Sequence, residues 1–315
     1  MIRSPRTGIG LAILCLVILG SLPILSNARP ADSDDLTFAV WLTLWQLLAS
    51  LPLFGAELAR DRRRGSAVRA LQAWRGRGGL IAVVTGAMFG LSTYMYVVAA
   101  EAAGPVSLAI ALQAYPIFAT LVEVVFLGKR KSAGELFFTG LMIVALVYLT
   151  TEGTFRIADI SWWIVFALGI PLLWSVAHVM LKRVLETTPA TPNQVTVSRL
   201  AISGACLLAL HAVSGDGDIL APVADPAFQR AAIVMGVAYY LELILWFHAM
   251  RHIDVSLASS VTVPAPAVTM LLATLILGES LQTYQLLAMG FVAAGMYGLV
   301  LTGARRKRTS EAPGE

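Results

Sequence analysis

Apolar residues run almost without interruption along this chain, broken at intervals by short polar or charged segments. About 20 apolar residues cross the hydrocarbon core of a bilayer as a helix. Ten runs approach that length, near 8–26, 36–56, 79–100, 105–127, 135–151, 161–181, 192–212, 230–250, 254–277 and 283–303. The runs are continuous rather than alternating, which predicts helices and not barrel strands. The expected class is therefore an all-α integral membrane protein with ten transmembrane helices. The longest connections, 57–78 and 213–229, leave no room for a soluble domain.

Composition agrees. Of 315 residues, 57% are hydrophobic and 13% charged, with a mean hydropathy of +0.76. Soluble domains carry roughly 25% charged residues. This excludes a water-soluble enzyme, a nucleic-acid-binding module and a disordered chain. Two cysteines exclude a disulfide-framed secreted domain. A net charge of +4 and a pI near 9.2 fit basic cytoplasmic loops. With the N-terminus inside, 19 of 23 Lys and Arg fall in inside segments, from Arg3 and Arg6 to Arg305–Arg308. Arg29, Arg156 and Arg230 fall outside, and Arg199 lies within a span. Both termini are thus expected in the cytoplasm of a cell with this chain in its inner (plasma) membrane. Outside segments are acidic, with Asp32, Asp34, Asp35, Glu101, Glu152, Asp159, Asp216, Asp218, Asp225 and Glu279. Phe38, Trp41, Trp162, Trp163 and Tyr284 fall at the outer interface, where an aromatic belt is expected.

Two segments carry alternative readings. Segment one, ending in Ser26-Asn27-Ala28, has the build of a signal peptide with a cleavage site. Its apolar run is long for a signal, and we read it as a retained helix. In 57–78, Val68, Leu71 and Trp74 recur at helical spacing among arginines. The segment is either a short helix on the anionic cytoplasmic surface or a solvated basic loop.

The chain contains itself twice. Val106-Ser107-Leu108-Ala109 recurs as Val255-Ser256-Leu257-Ala258. Pro116 then matches Pro266, Leu127-Gly128 matches Leu277-Gly278, and Gly140 matches Gly290. The copies are 1–151 and 152–303, followed by a basic cytoplasmic tail at 304–315. Five helices per copy is an odd number, so the second copy enters from the opposite side. Charge follows: Lys129 after the first Leu-Gly, Glu279 after the second. Such inverted-topology repeats build secondary transporters that work by alternating access. The pattern of small residues, mid-span Pro266, Leu277-Gly278-Glu279, Gly290 and Gly295 resembles the EamA-type module of the drug/metabolite transporter superfamily, present twice. Lys129 departs from the usual acid, and Gly20-Ser21-Leu22-Pro23 from the usual tryptophan-containing start. The resemblance implies a central cavity lined by spans 1, 3, 4, 6, 8 and 9.

Ionisable groups inside a span cost about 2.5–3.5 kcal/mol at its centre, so each needs a reason. We single out Glu123, His178, Arg199, Glu242 and His248. Arg199 and Glu242 fall at nearly equal depth on consecutive antiparallel spans. They are read either as a structural ion pair or as a coupling pair, with Glu242 a site for a substrate amine or a proton. Tyr239, Glu242 and Trp246 share a helix face, which suits an amine or an aromatic ring, and also suits packing. Span 4 presents Ala109, Gln113, Pro116, Thr120 and Glu123. Span 9 presents Ser259, Thr262, Pro266, Thr269 and Ala273. Such stripes either pack helices closely or line a cavity, and the prolines free backbone carbonyls near midspan. Pro171, Trp174, Ser175 and His178 form a similar face on span 6, with Tyr94 on span 3. Glu123 lies close enough to the cytoplasmic end to snorkel towards Lys129 or Arg130.

No zinc-protease motif, nucleophile elbow or phosphate loop is present. Cys15 and Cys206 lack metal-ligand spacing and are read as packing. We expect no enzyme activity, no cofactor and no metal, and no nucleic-acid partner. The expected partners are a small-molecule substrate and the lipid bilayer, with the chain a monomer or a homodimer. The expected function is secondary active or facilitative export of small metabolites such as amino acids. The alternatives are an importer of a sugar, nucleotide-like or quaternary amine solute, and an intramembrane lipid-handling protein or enzyme. A sensory or scaffold role is disfavoured by the lack of a soluble domain.

Overall fold

A computed structural model describes residues 5–63, 77–128, 130–188, 190–214, 217–253, 258 and 261–311. The surface segment with Val68, Leu71 and Trp74, Lys129, Asp216, Val255–Leu257 and Ser259 lie outside the described residues, as does the side chain of Glu123.

The helices are α1 (Pro5–Asn27), α2 (Asp35–Arg63), α3 (Arg77–Ala102), α4 (Pro105–Leu112), α5 (Tyr115–Leu127), α6 (Ala133–Thr150), α7 (Trp162–Thr187), α8 (Pro192–Ser214), α9 (Pro226–His252), α10 (Ala265–Leu272, continued by a π-type turn over Ala273–Leu277) and α11 (Thr283–Glu311). No strand occurs among the described residues. Among the described residues nine stretches are long and apolar enough to cross a membrane, with Ala265–Leu277 a shorter apolar one. Eight of the expected spans each fall on one of these helices, whereas the fourth divides into α4 and α5 and the ninth is broken at Val263-Pro264 before α10. Large apolar side chains point outwards along the helices, among them Leu80, Phe137, Val144, Leu271 and Leu275. A bilayer is the solvent in which such a surface is stable.

The described chain forms two compact units, each drawing on both sequence repeats. One comprises 1–24, 99–171 and 241–315; the other comprises 25–98 and 172–240.

In the first unit, α11 lies along α6. Glycine sets that distance: a Cβ on Gly295 would lie 2.4 Å from Met142 Cγ, and one on Gly298 2.2 Å from the Phe138 ring. The glycine matched in both repeats is different, since a Cβ on Gly140 or Gly290 would meet nothing within 4 Å. Helix α1 meets α10 at Gly20, where a Cβ would stand 2.7 Å from the Ala265 carbonyl oxygen. Thr269 Oγ1 donates to the Gly20 carbonyl at 2.6 Å, fixing that contact. Ala12 packs with Ala249, Ile253 and Ala258.

In the second unit, α2 lies along α8. Glu57 accepts hydrogen bonds from Thr191 Oγ1 and, at 2.6 Å, from Asn193 Nδ2, which ties the end of α2 to the start of α8. Arg29, placed by the sequence in an outside segment, is buried at 7% exposure and paired with Asp35. It also donates to the carbonyls of Ser26 and Val97 and lies over the Phe38 ring. Phe38, expected in the aromatic belt, is fully buried against Phe228, whereas Trp162 and Trp163 are exposed as expected. Burying a cation requires partners, and the segment between the first two spans is short enough to fold them around it.

Candidate functional site

The fourth span breaks where its sequence lacks a reason to continue. Helix α4 ends at Leu112, Gln113 and Ala114 form a turn, and α5 restarts at Tyr115. Pro116 has no N–H to return to the Leu112 carbonyl, so a continuous helix would lose a bond there. In the first turn of a new helix that missing donor costs nothing. The ninth span breaks identically, with a turn at Val263-Pro264, a restart at Ala265 and Pro266 in its first turn.

The correspondence extends further. Tyr115–Leu127 and Ala265–Leu277 have equal length. Each is followed by a glycine in the left-handed region, Gly128 at φ +61° and Gly278 at φ +68°, which suits glycine. The next helices start alike. Ser132 accepts from the Glu135 N–H while its own N–H donates to Glu135, a capping box. At the matching place the Gln282 N–H donates to Gln285 Oε1 at 3.0 Å. Helix α11 also touches α4, Gln285 Nε2 donating to Ser107 Oγ at 3.1 Å.

Around these breaks Gln113 and Pro116 are half-buried, while Pro266 is buried. Thr262 is half-buried and returns its hydroxyl to the Ala258 carbonyl. In the same unit the Cys15 thiol stands 3.4 Å from Glu242 Oε1 and 3.7 Å from the Glu242 carbonyl. Cys15 is thus a donor towards a carboxylate as well as a packing residue. Trp246 packs on the cluster around Ala249 and Ile253. His248 is exposed and bonds the Ile244 carbonyl of its own helix. Glu279, in the loop after Gly278, has its carboxyl pushed above the usual range by burial.

The second unit assembles a different cluster. Helices α3 and α8 approach closely at Gly86 and Gly90: a Cβ on Gly86 would lie 2.5 Å from Ile202 Cγ2, and one on Gly90 3.1 Å from the Ser203 carbonyl oxygen. Ser203 Oγ donates to the Gly86 carbonyl at 2.7 Å. The spacing is Gly-x-x-x-Gly, a close-packing device of membrane helices. Phe89, between the glycines, lies under the Arg199 guanidinium, with 4.1 Å from Cζ to the ring centroid. The His178 ring stands 5.3 Å from the Phe89 ring. Trp174, one turn before His178, donates Nε1–H to Ser92 Oγ at 2.9 Å. Tyr239 packs against Tyr96 at 5.9 Å, and Tyr94 is half-buried on α3.

Trp174 and His178 are therefore brought together with Arg199, and Glu242 with Cys15. Sequence reading missed Phe89, Ser92, Tyr96, Arg29 and the buried His211, which bonds Thr37 at 3.2 Å. The Gly86-x-x-x-Gly90 spacing was the available pointer to Phe89. Among the described residues no group of His, Cys, Asp and Glu is placed to hold a metal ion.

Comparison with known proteins adds three findings. No curated protein matches the chain. A crystal structure of a protein resembles it with a TM-score of 0.60 at 17% identity, covering 96% of this chain and 100% of the other. At that identity the likeness concerns the fold. The EamA-like transporter family matches residues 161–301. Residues 161–301 are a domain of the EamA-like transporter family, in a chain whose described residues hold nine helices long and apolar enough to cross a membrane.

Proposed function

We propose that the chain exports small metabolites, amino acids foremost, across the inner (plasma) membrane by alternating access. Transport is facilitative or ion-coupled. The observation that carries the mechanism is the recurrence of one break, at 113–114 and 263–264, with Pro116 and Pro266 in the restarted turns. Discontinuous helices of corresponding position in two repeats mark the moving, substrate-handling parts of such transporters. The recurrence also supports a first EamA-like module at 1–151, a second at 152–303 and a tail at 304–315. In this reading both termini lie in the cytoplasm, which the distribution of basic residues supports.

In this proposal Gln113, Pro116, Thr262 and Pro266 line the substrate route at the breaks. Glu242 acts as the amine or proton site, on one helix face with Tyr239 and Trp246, and Arg199 is a second coupling charge. Trp174, His178 and Tyr94 contribute from spans 6 and 3. The protein acts on a small molecule without catalysing its conversion, as a monomer or homodimer in the bilayer.

Purified protein in liposomes loaded with unlabelled amino acids should drive counterflow of a labelled one. Absence of counterflow and exchange across a broad metabolite panel would contradict the proposal. Accumulation only in the inward direction, in vesicles of known orientation, would replace export by import.

A further inference from the structure

We propose that the loop between α6 and α7 is a membrane anchor, in which Phe155, Ile157, Trp162 and Trp163 enter the lipid headgroup interface and Arg156 meets lipid phosphate. The side chains that point outwards here are the wrong ones for a loop in water. Ile157 is 86% exposed, Trp162 74%, Phe155 56% and Trp163 50%. Single exposed apolar residues are ordinary, but a cluster rimmed by polar ones marks a contact surface.

The loop is not slack. At its start the Gly153 N–H donates to the Tyr148 carbonyl at 2.8 Å, and at its end the Ser161 N–H donates to the Thr150 carbonyl at 2.7 Å. Two threonines fix the backbone between. Thr151 Oγ1 accepts from the Phe155 N–H at 3.0 Å, and Thr154 Oγ1 from the Arg156 N–H at 3.1 Å. Phe155 is thereby held in the left-handed region at φ +57°, which a bulky side chain enters only when its surroundings impose it. The Tyr148 ring abuts Phe155 at 5.1 Å. A tight turn at Ile157–Asp159 follows. An ordered and locally strained loop thus presents apolar side chains that it could have turned inwards.

A lipid surface suits this cluster better than a protein partner. Trp162 and Trp163 open α7, whose exposed Val165 lies in the same first turns. The apolar surface therefore runs on from a bilayer-facing helix into the loop. Tryptophan and arginine combine an apolar stem with a polar head and settle at headgroup depth. Arg156 is exposed between Phe155 and Ile157, where it offers an anionic lipid its cation. Glu152 and Asp159, exposed in the same loop, stay at the aqueous rim.

The test reads the depth of Ile157. Full-length protein with Ile157→Cys, and with Cys15 and Cys206 replaced, is labelled with a nitroxide in vesicles of phosphatidylcholine and phosphatidylglycerol. Oxygen, which concentrates in lipid, should relax the label several-fold more than a water-soluble nickel chelate does. The same label at Asp218→Cys, in an exposed acidic turn, should show the reverse. Arg156→Glu should move the Ile157 label towards the chelate in these vesicles, and much less in phosphatidylcholine alone. If the cysteine replacements cost the fold, Ile157→Trp in the otherwise native chain reads the same depth, because brominated phosphatidylcholine should quench most of the added emission. Chelate access at Ile157 equal to that at Asp218, or added emission that brominated lipid leaves intact, would overturn the anchor. A label shielded from both reagents would also overturn it and would make the cluster a contact between protein surfaces. An Arg156→Glu effect that is the same in both kinds of vesicle would overturn the phosphate contact.

Discussion

Two stretches of this chain, 105–128 and 261–278, share a backbone and differ in what holds it. Both break, restart thirteen residues before the end and finish in a left-handed glycine. The first does so with one proline, Pro116, and continues as a regular α-helix to Leu127. The second has two, Pro264 and Pro266, and loosens into a π-type turn over Ala273–Leu277. Such turns cluster at functional positions in helices. The second is also fastened to α1 through Thr269, where the first has Ala119. The two copies therefore conserve the break in the backbone while the side chains that secure it have diverged.

The contrast can be broken experimentally. The largest effect is expected at the fastening of the second stretch. Gly20→Val would drive a branched side chain into the Ala265 carbonyl and Val268, destabilising the protein by about 3 kcal/mol. Gly10→Val, where nothing lies within 4 Å, should leave the melting temperature in detergent unchanged.

Next in size is the proline contrast. Pro116→Ala restores the only N–H missing from the first restart, favours a continuous helix and should slow counterflow about tenfold, or about 1.4 kcal/mol of barrier. Pro266→Ala leaves Pro264 in place and should slow it less. Equal slowing would mean that the second proline does not guard the break.

Thr269→Ala removes one buried hydrogen bond and should cost about 1 kcal/mol. Ser107→Ala, which removes the contact from Gln285, should cost no more.

The smallest effect concerns charge after the glycines. Burial raises the Glu279 pKa in the folded state, so the folded protein holds this proton more tightly than the unfolded chain. Stability is unaffected below the ordinary glutamate range and falls as pH rises from there through the raised value. Glu279→Gln should abolish that decline in a melting-temperature profile and slightly stabilise the protein above it.

Most of the fold was legible because a bilayer demands long apolar runs and an asymmetric distribution of basic charge. Glycine, proline and the Leu-Gly pairs then exposed the repeat, since their roles are set by the backbone. The contacts were legible only in part. Phe89 is one apolar residue in an apolar span, and nothing in its own identity points to the guanidinium above it. Arg29 sits in a polar connection, where sequence reads it as a loop charge; its burial depends on Asp35, Phe38 and Val97 folding around it. Cys15 and Glu242 are 227 residues apart, beyond any periodicity. The matched Gly140 and Gly290 mislead in the opposite sense, because neither lies at a close helix contact, whereas Gly295 and Gly298 do.

The most direct test of paired, moving breaks is side-specific labelling of Gln113→Cys and Val263→Cys, each in a background with Cys15 and Cys206 replaced. With the reconstituted protein, each cysteine should react with a membrane-impermeant thiol reagent from one face before substrate is added and shift towards the other face in its presence. The two positions should shift together. Reaction confined to a single face with and without substrate, at both positions, would contradict alternating access through these breaks.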